Sequence, residues 1–166
     1  DDLEKDDDTN EVKGDEDHED HPEELEMPDY AEYLPEDLVA EAYKLLKDHP
    51  IQKLKDHFAA IRKYLMKHLN DERAEKLAEF IEQGGNELDF EFIQPLREQF
   101  RTIFSEFRNR RRKYYEELSA KLDQNLLVKR NLIERLKDLV NKEESIGDTF
   151  KEFRTIQEEW RNTGPV

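Results

Sequence analysis

The residues best suited to chemistry in this chain are arginines. Between Arg97 and Lys113 stand Arg97, Arg101, Arg108, Arg110, Arg111, Arg112 and Lys113. On a helix, at 100° per residue, Arg97, Arg101, Arg108 and Arg112 fall within about 60° of one another and form a ladder about 22 Å long. Guanidinium forks match phosphate oxygens, and aromatic neighbours can stack on bases, so the ladder suits contact with a nucleic-acid backbone. Glu106 and Arg110, Arg112 and Glu116, and Lys113 and Glu117 are spaced i,i+4, as ordinary surface pairs are. Arg108 and Arg111 have no acid at i±3 or i±4, and Arg111 falls on the apolar side beside Tyr114 and Tyr115. Three readings compete. The arginines stack on Tyr114, Tyr115 or Phe104 and pair with acids of neighbouring helices; or they bind phosphate; or they hold the protein's own acidic N-terminal arm, which would then be autoinhibitory.

Other chemistries have little to work with. There is no Cys, which excludes disulfides, thiolate nucleophiles and Cys-based zinc sites. No glycine-rich phosphate loop, Gly-x-Ser-x-Gly or His-Glu-x-x-His occurs. Gly84 and Gly85 read as a helix stop. His18 and His21, three apart among carboxylates, would ligate a metal only weakly, and His49, His57 and His68 lack a repeated metal spacing and read as surface or capping residues. The expectation is a non-enzyme with no catalytic residue, no metal, no cofactor and no small-molecule substrate.

The ladder needs a helix to carry it. Leu96, Phe100, Ile103, Phe104, Phe107, Tyr114, Leu118, Leu122, Val128, Leu132, Leu136, Leu139 and Val140 share one sector of roughly 120°. No Gly or Pro interrupts this stripe after Pro95, whose missing N–H suits a first helical turn. The pattern predicts one helix from Pro95 to about Glu143, roughly 73 Å if straight. Gly147 then reads as a stop and Asp148 as the cap of a last helix with an inner stripe of Phe150, Phe153, Ile156, Gln157 and Trp160. A four-residue connection implies antiparallel neighbours. Phe150 is therefore expected against Leu139 and Val140, and Trp160, a large apolar anchor, near Val128 and Lys129.

Ahead of this hairpin three short helices are expected. Pro35, Glu36 and Asp37 open the first, and His49 before Pro50 ends it. Ile51, Leu54, Phe58, Ile61 and Leu65 mark the second. Asn70 reads as the N-cap of a third, carrying Leu77, Phe80 and Ile81 and stopped at Gly84 and Gly85. Residues 1–26 hold fifteen carboxylates against two lysines, so most of the formal charge of −16 sits in this arm. With only Leu3, Val12, Leu25 and Met27 as large apolar residues up to position 27, the arm is expected to be disordered. No run approaches the roughly 18 apolar residues of a membrane span, and the acidic start is unlike a secretory or mitochondrial leader. The chain begins without Met and stops at Gly164, Pro165 and Val166, which suggests a fragment of a longer protein.

One stretch resembles a known family. Asn125, Leu126, Leu127, Lys129, Leu132 and Ile133, followed by Phe150, Phe153, Gln157, Glu159, Trp160, Gly164, Pro165 and Val166, resemble the bacterial "domain of unknown function 349" family. Its repeats pair an Asn-Leu and Lys signature on one helix with Gln-x-x-Trp and Gly-x-Val at the end of the next. They open with a Phe-Arg helix similar to Phe100, Arg101, Phe104, Phe107 and Arg108. The resemblance covers roughly residues 95–166. The helices before it look like the lead-in of longer members from the Bacteroidetes. It implies an all-helical repeat of long antiparallel hairpins with an uncharacterised role and no established catalytic residues. One full repeat and the boundary of the next are present.

The expected architecture is all-α: an acidic low-complexity tail over 1–27, three short helices over 28–86, and a long coiled-coil-like hairpin repeat over 87–166. The expected function is that of a cytoplasmic scaffold or adaptor working through a protein partner, with a basic partner surface receiving the acidic tail. The alternative is a regulatory factor bound to nucleic acid or a ribonucleoprotein. There the contact residues would be Arg97, Arg101, Arg108, Arg111 and Arg112, with the tail as nucleic-acid mimic or autoinhibitor. Trp160, Phe153 and Phe150 are the expected hairpin anchors, and no membrane partner is expected.

Overall fold

A computed structural model of the protein describes residues 25–142 and 145–166. These residues are helical, with no strand among them. The α-helices are α1 Pro35–Asp48, α2 Lys55–Glu82, α3 Pro95–Asn141 and α4 Ile146–Thr163, with one-turn 3₁₀ helices ahead of the first three at Tyr30–Glu32, Ile51–Lys53 and Glu87–Asp89. No helix of the described residues is long and apolar enough to cross a membrane. The acidic arm falls outside the described residues except for Leu25, Glu26 and Met27, and Leu25 packs against the first core.

The chain forms two compact units, Asp1–Arg111 and Arg112–Val166. In the first, Pro35 sits at the start of α1 with Glu36 and Asp37 in the first turn, and His49 closes the helix before Pro50. Leu38, Val39, Ala42, Leu45 and Leu46 of α1 meet Leu54, Phe58, Ile61, Leu65 and Leu69 of α2 and its lead-in. Phe100 and Phe107 from the first turns of α3 complete this core, with the Phe107 ring stacked on Phe58 at 4.1 Å. That packing explains why the units divide at Arg111 rather than near residue 86. The start of the long helix is part of the N-terminal core.

The three short helices expected here are two. Asn70 caps nothing and lies in the middle of α2, which runs 28 residues. No Gly or Pro stands between Leu54 and Gln83, and the helix formers around Asn70 outweigh its capping preference. Its side chain instead accepts a hydrogen bond from Arg97 Nη2 at 2.9 Å. The stop at Gly84 and Gly85 is as expected. Gly84 takes φ +89°, and Gly85 N–H reaches back to the Phe80 carbonyl at 2.9 Å. A Cβ on Gly85 would lie 2.4 Å from the Phe80 ring.

His57 was expected at the surface or in a cap; it is 3% exposed. The Tyr30 hydroxyl lies 2.8 Å from His57 Nδ1 and donates to it when that nitrogen carries no proton. The partner is 27 residues away, so nothing local to His57 announces it.

The second unit has a smaller core of Leu132, Leu139 and Ile156, flanked by Val128 and Leu136. Contacts between α3 and α4 occur in opposite order along the two helices. Asn125 meets Pro165, Lys129 meets Trp160, Arg135 meets Glu159, and Lys142 meets Glu152. The cap of α4 is Ser145, not Asp148. Ser145 Oγ accepts from the Asp148 N–H at 3.4 Å and donates to Asp148 Oδ2 at 2.7 Å, which leaves Gly147 inside the first turn.

Burial pushes the Tyr30 phenol up to about 12, with Glu41 and Tyr33 adding to the effect. A phenol that ionises later in the folded state stabilises the fold fully below about pH 10, and that contribution is lost as pH rises towards 12. Tyr30→Phe should cost about 1–3 kcal/mol at pH 8 by orphaning the buried imidazole. It should also flatten the decline of denaturant midpoint between about pH 10 and 12. An equal alkaline decline in both proteins refutes the assignment.

Candidate functional site

The arginine run lies on α3 as one unbroken helix. The helical pairs form as spaced, with Arg110 to Glu106 at 2.6 Å, Arg112 to Glu116 at 3.9 Å and Lys113 to Glu117 at 3.8 Å. Arg110 also donates through Nη1 to the Leu46 carbonyl at 3.2 Å. It thus satisfies a free carbonyl in the last turn of α1, where a cation is favoured. Arg101 lies 3.6 Å from Glu98. Arg97 is the most engaged: it donates to Gln94 Oε1 at 3.1 Å and Asn70 Oδ1 at 2.9 Å, with Met66 Sδ at 3.6 Å. Arg108 and Arg111 lack acids at helical spacing, yet both have interaction partners in the folded chain.

Arg97 also lines a cleft of the first unit, a feature that sequence reasoning missed. This cleft, about 780 Å³, is bordered by Arg62, Lys63, Met66, Arg73, Phe92 and Gln94. Arg62 lies over the Phe104 ring at 5.3 Å and Arg73 over Phe90 at 5.5 Å, so both guanidiniums are held on aromatic faces. Gln94 Nε2 donates to the Leu69 carbonyl and to Glu72, fixing the entry to α3. Arg62, Met66 and Arg73 recur at 4 and 7 residues along one face of α2, the signal that would have found them. Arg62, Lys63, Arg73 and Arg97 line the opening together with one carboxylate, Glu98, an excess of positive charge that favours an anionic group.

The hairpin anchors are placed differently from one another. Trp160 lies beside Lys129 as expected, with Nζ 5.0 Å from its ring, but it is exposed and not part of an inner face. Phe150 is not the buried anchor expected against Leu139 and Val140. It is 54% exposed beneath Arg154 of its own helix, and Val140 is 79% exposed. Phe153 is also exposed. The face that α4 turns inward is Thr149, Glu152, Ile156, Glu159 and Thr163, with only Ile156 fully buried. Polar contacts run along this face, Arg135 to Glu159 at 2.7 Å and Lys142 to Glu152 at 4.0 Å, with the chain end bound beyond them.

That chain end has a specific lock. Asn125, buried, donates through Nδ2 to the Pro165 carbonyl at 2.7 Å, and Gly164 beside it takes φ +80°. The Asn-Leu signature of one helix and the Gly-x-Val signature after the next are thereby bonded together. Residues 95–166 match the family model of the Domain of Unknown Function (DUF349). The match supports the family to which those motifs pointed, over the same residues. No curated protein matches the chain, and no solved structure does. Within the matched stretch the residues divide by role: Asn125 and Gly164 hold the terminus, Leu132 and Ile156 fill the core, and Phe150, Phe153 and Trp160 face outward. Among the described residues no group of three or more His, Cys, Asp or Glu is arranged to hold a metal, and His18 and His21 lie outside them.

Asn125→Ala should leave the Pro165 carbonyl without its donor, and Gly164→Ala should place a Cβ at a positive φ. Each should lower stability by about 1 kcal/mol. Thermal melts of the two variants check this. A pair no less stable than the wild type would refute the lock.

Proposed function

We propose that the protein is a non-enzymatic helical scaffold or adaptor of the cytoplasm. The second half of α3 and α4 would serve it as a coiled-coil-like antiparallel hairpin that engages a protein partner. One observation carries this reading: α4 turns a 4,3,4,3 stripe of Ile146, Phe150, Phe153, Gln157 and Trp160 away from its own core, leaving Ile146 88% and Phe150 54% exposed. Contiguous exposed apolar surface of this kind marks interaction sites. The intact protein recovered from cells should carry a stoichiometric protein partner that survives nuclease treatment. Recovery of the protein alone, or loss of the partner with nuclease, would overturn the reading.

A second reading, contact with nucleic acid or a ribonucleoprotein, draws on the arginines of α3 and more directly on the cleft. Arg62 and Arg73 are held on aromatic rings there, without an ion pair among the described residues. On this reading the acidic tail competes for the same surface as mimic or autoinhibitor. Labelled RNA and DNA should then bind with an affinity that falls steeply with salt. Arg62→Glu with Arg73→Glu should weaken binding and flatten the slope, and deletion of residues 1–24 should tighten it. No binding by the wild type at low salt removes this reading.

A further inference from the structure

The pair of helices in the second unit has two seams, and they differ in kind. Around the helix axes, take Leu132 as the inward reference on α3 and Ile156 on α4, both buried. Arg135 and Lys142 lie about 60° and 80° to one side of Leu132, and Glu159 and Glu152 lie about 60° and 40° to the same rotational side of Ile156. On two antiparallel right-handed helices, equal senses of rotation reach the same side of the pair. One seam is therefore closed by the Arg135–Glu159 and Lys142–Glu152 ion pairs.

The opposite rotation reaches the other seam. Lys129, Ile133 and Val140 lie about 60° to 100° that way on α3, and Trp160, Ile146 and Phe150 about 40° to 120° that way on α4, with Phe153 between them. Lys129 over Trp160, at 5.0 Å, bridges this side and fixes the geometry independently. Elsewhere the seam is open and apolar. On α3 the positions Leu122, Leu126, Lys129, Ile133, Leu136 and Val140 step by 4,3,4,3,4, and the α4 stripe steps by 4,3,4,3. Both are the spacing of a helix-packing seam. The uncovered parts of Phe150, Phe153 and Trp160 alone present roughly 250 Å² of ring surface.

The rims of this groove are basic. Arg130 and Lys137 stand seven apart beyond the α3 stripe, and Arg154 and Arg161 seven apart beyond the α4 stripe. The acids Glu134, bonded to Lys137, and Glu158 lie farther round. A second copy of this chain would bring cation rows against cation rows. We infer that the open seam is a docking groove for a third helix from a partner protein, an amphipathic helix whose apolar stripe is flanked by carboxylates on both sides. This deepens the protein-contact reading and rests on it. Apolar knobs of the incoming helix fill the spaces between Ile133, Val140, Phe150, Phe153 and Trp160, while its carboxylates meet Arg130, Lys137, Arg154 and Arg161.

Trp160 is the one tryptophan of the chain and reports on the groove directly. The probes are two synthetic amphipathic peptides of about 25 residues, with the same Leu/Ile stripe, one flanked by Glu and the other by Lys. The Glu-flanked peptide should shift Trp160 emission to the blue with 1:1 stoichiometry and bind at least about tenfold tighter than the Lys-flanked one. Arg154→Glu with Arg161→Glu, both exposed and outside the core, should reverse that preference without changing the circular dichroism. Phe153→Ser should weaken both peptides. No shift with either peptide, equal affinity for the two, or self-association of the chain that buries Trp160 overturns the inference. A nuclease-resistant partner recovered from cells alongside silent peptides would refute the groove and leave the protein-contact reading standing. Peptide binding with no partner recovered would do the reverse.

Discussion

The rigid angular spacing of α3 is the constraint on which the rest depends. With no Gly or Pro between Leu96 and Asn141, every side chain in that span has its direction set by the turn of one helix. That helix supplies Phe100 and Phe107 to one core and Leu132 and Leu139 to another. A residue on it cannot be turned towards a partner without turning its neighbours. Phe107 is locked by stacking on Phe58, so Arg110, three residues on, falls beside the end of α1 and binds the Leu46 carbonyl there. Arg97 falls likewise against Asn70 and Gln94. The first arginine of the ladder is thus joined to the fold before any ligand arrives, and Arg110 is claimed by the helix end.

The same constraint acts on the second unit through fewer residues. Among the described residues, Leu132, Leu139 and Ile156 are the fully buried apolar ones there, whereas thirteen are buried in the first core. Each contributes about 1.5–3 kcal/mol on burial, so polar contacts weigh more in setting how α4 rolls on α3. Glu152 and Glu159 are the residues that reach basic partners, and Asn125 binds the chain just beyond Gly164. Once these three are satisfied, Ile156 is inward and the aromatic residues are not.

Much of this was legible from residue types. Pro35, Pro50, Gly84 and Pro95 each act locally, through a missing N–H or a positive φ, and the ends they mark are where the helices end. The i,i+4 pairs on α3 form because both partners ride on one helix. What failed to be legible depended on distant partners or on competition between equals. Asn70 has the chemistry of a cap, yet its neighbours favour helix on both sides, and Arg97 takes its side chain. Ser145 and Asp148 are both good caps three residues apart, and the chain uses the first. His57 gave no sign of burial because Tyr30 is remote in sequence, and the basic cleft needed Arg97 brought beside Arg62 and Arg73. Among the site residues, counting back from the turn placed Trp160 beside Lys129, but the inner face expected for Phe150 and Trp160 is exposed.

The error over Phe150 has a physical cause that reaches beyond one residue. The apolar positions of α4, from Ile146 round to Ile156, occupy a wider arc than one neighbouring helix can cover, since a two-helix contact uses a narrow seam. Reading the stripe as a single inner face assumes that all of it is inward, and the rule of hydrophobic periodicity cannot say which part α3 takes. In the observed roll Glu152 and Glu159 lie beside Lys142 and Arg135, and the rings are left exposed. A helix with more apolar arc than its own fold covers is then stable in isolation only at the expense of wetted aromatic surface. That surface carries free energy which the folded unit cannot release by itself, because α3 and α4 are already fixed by Asn125 and the two ion pairs. The polar contacts and the exposed rings thus lie on opposite sides of the α3–α4 pair, one side closed by charge and the other left apolar.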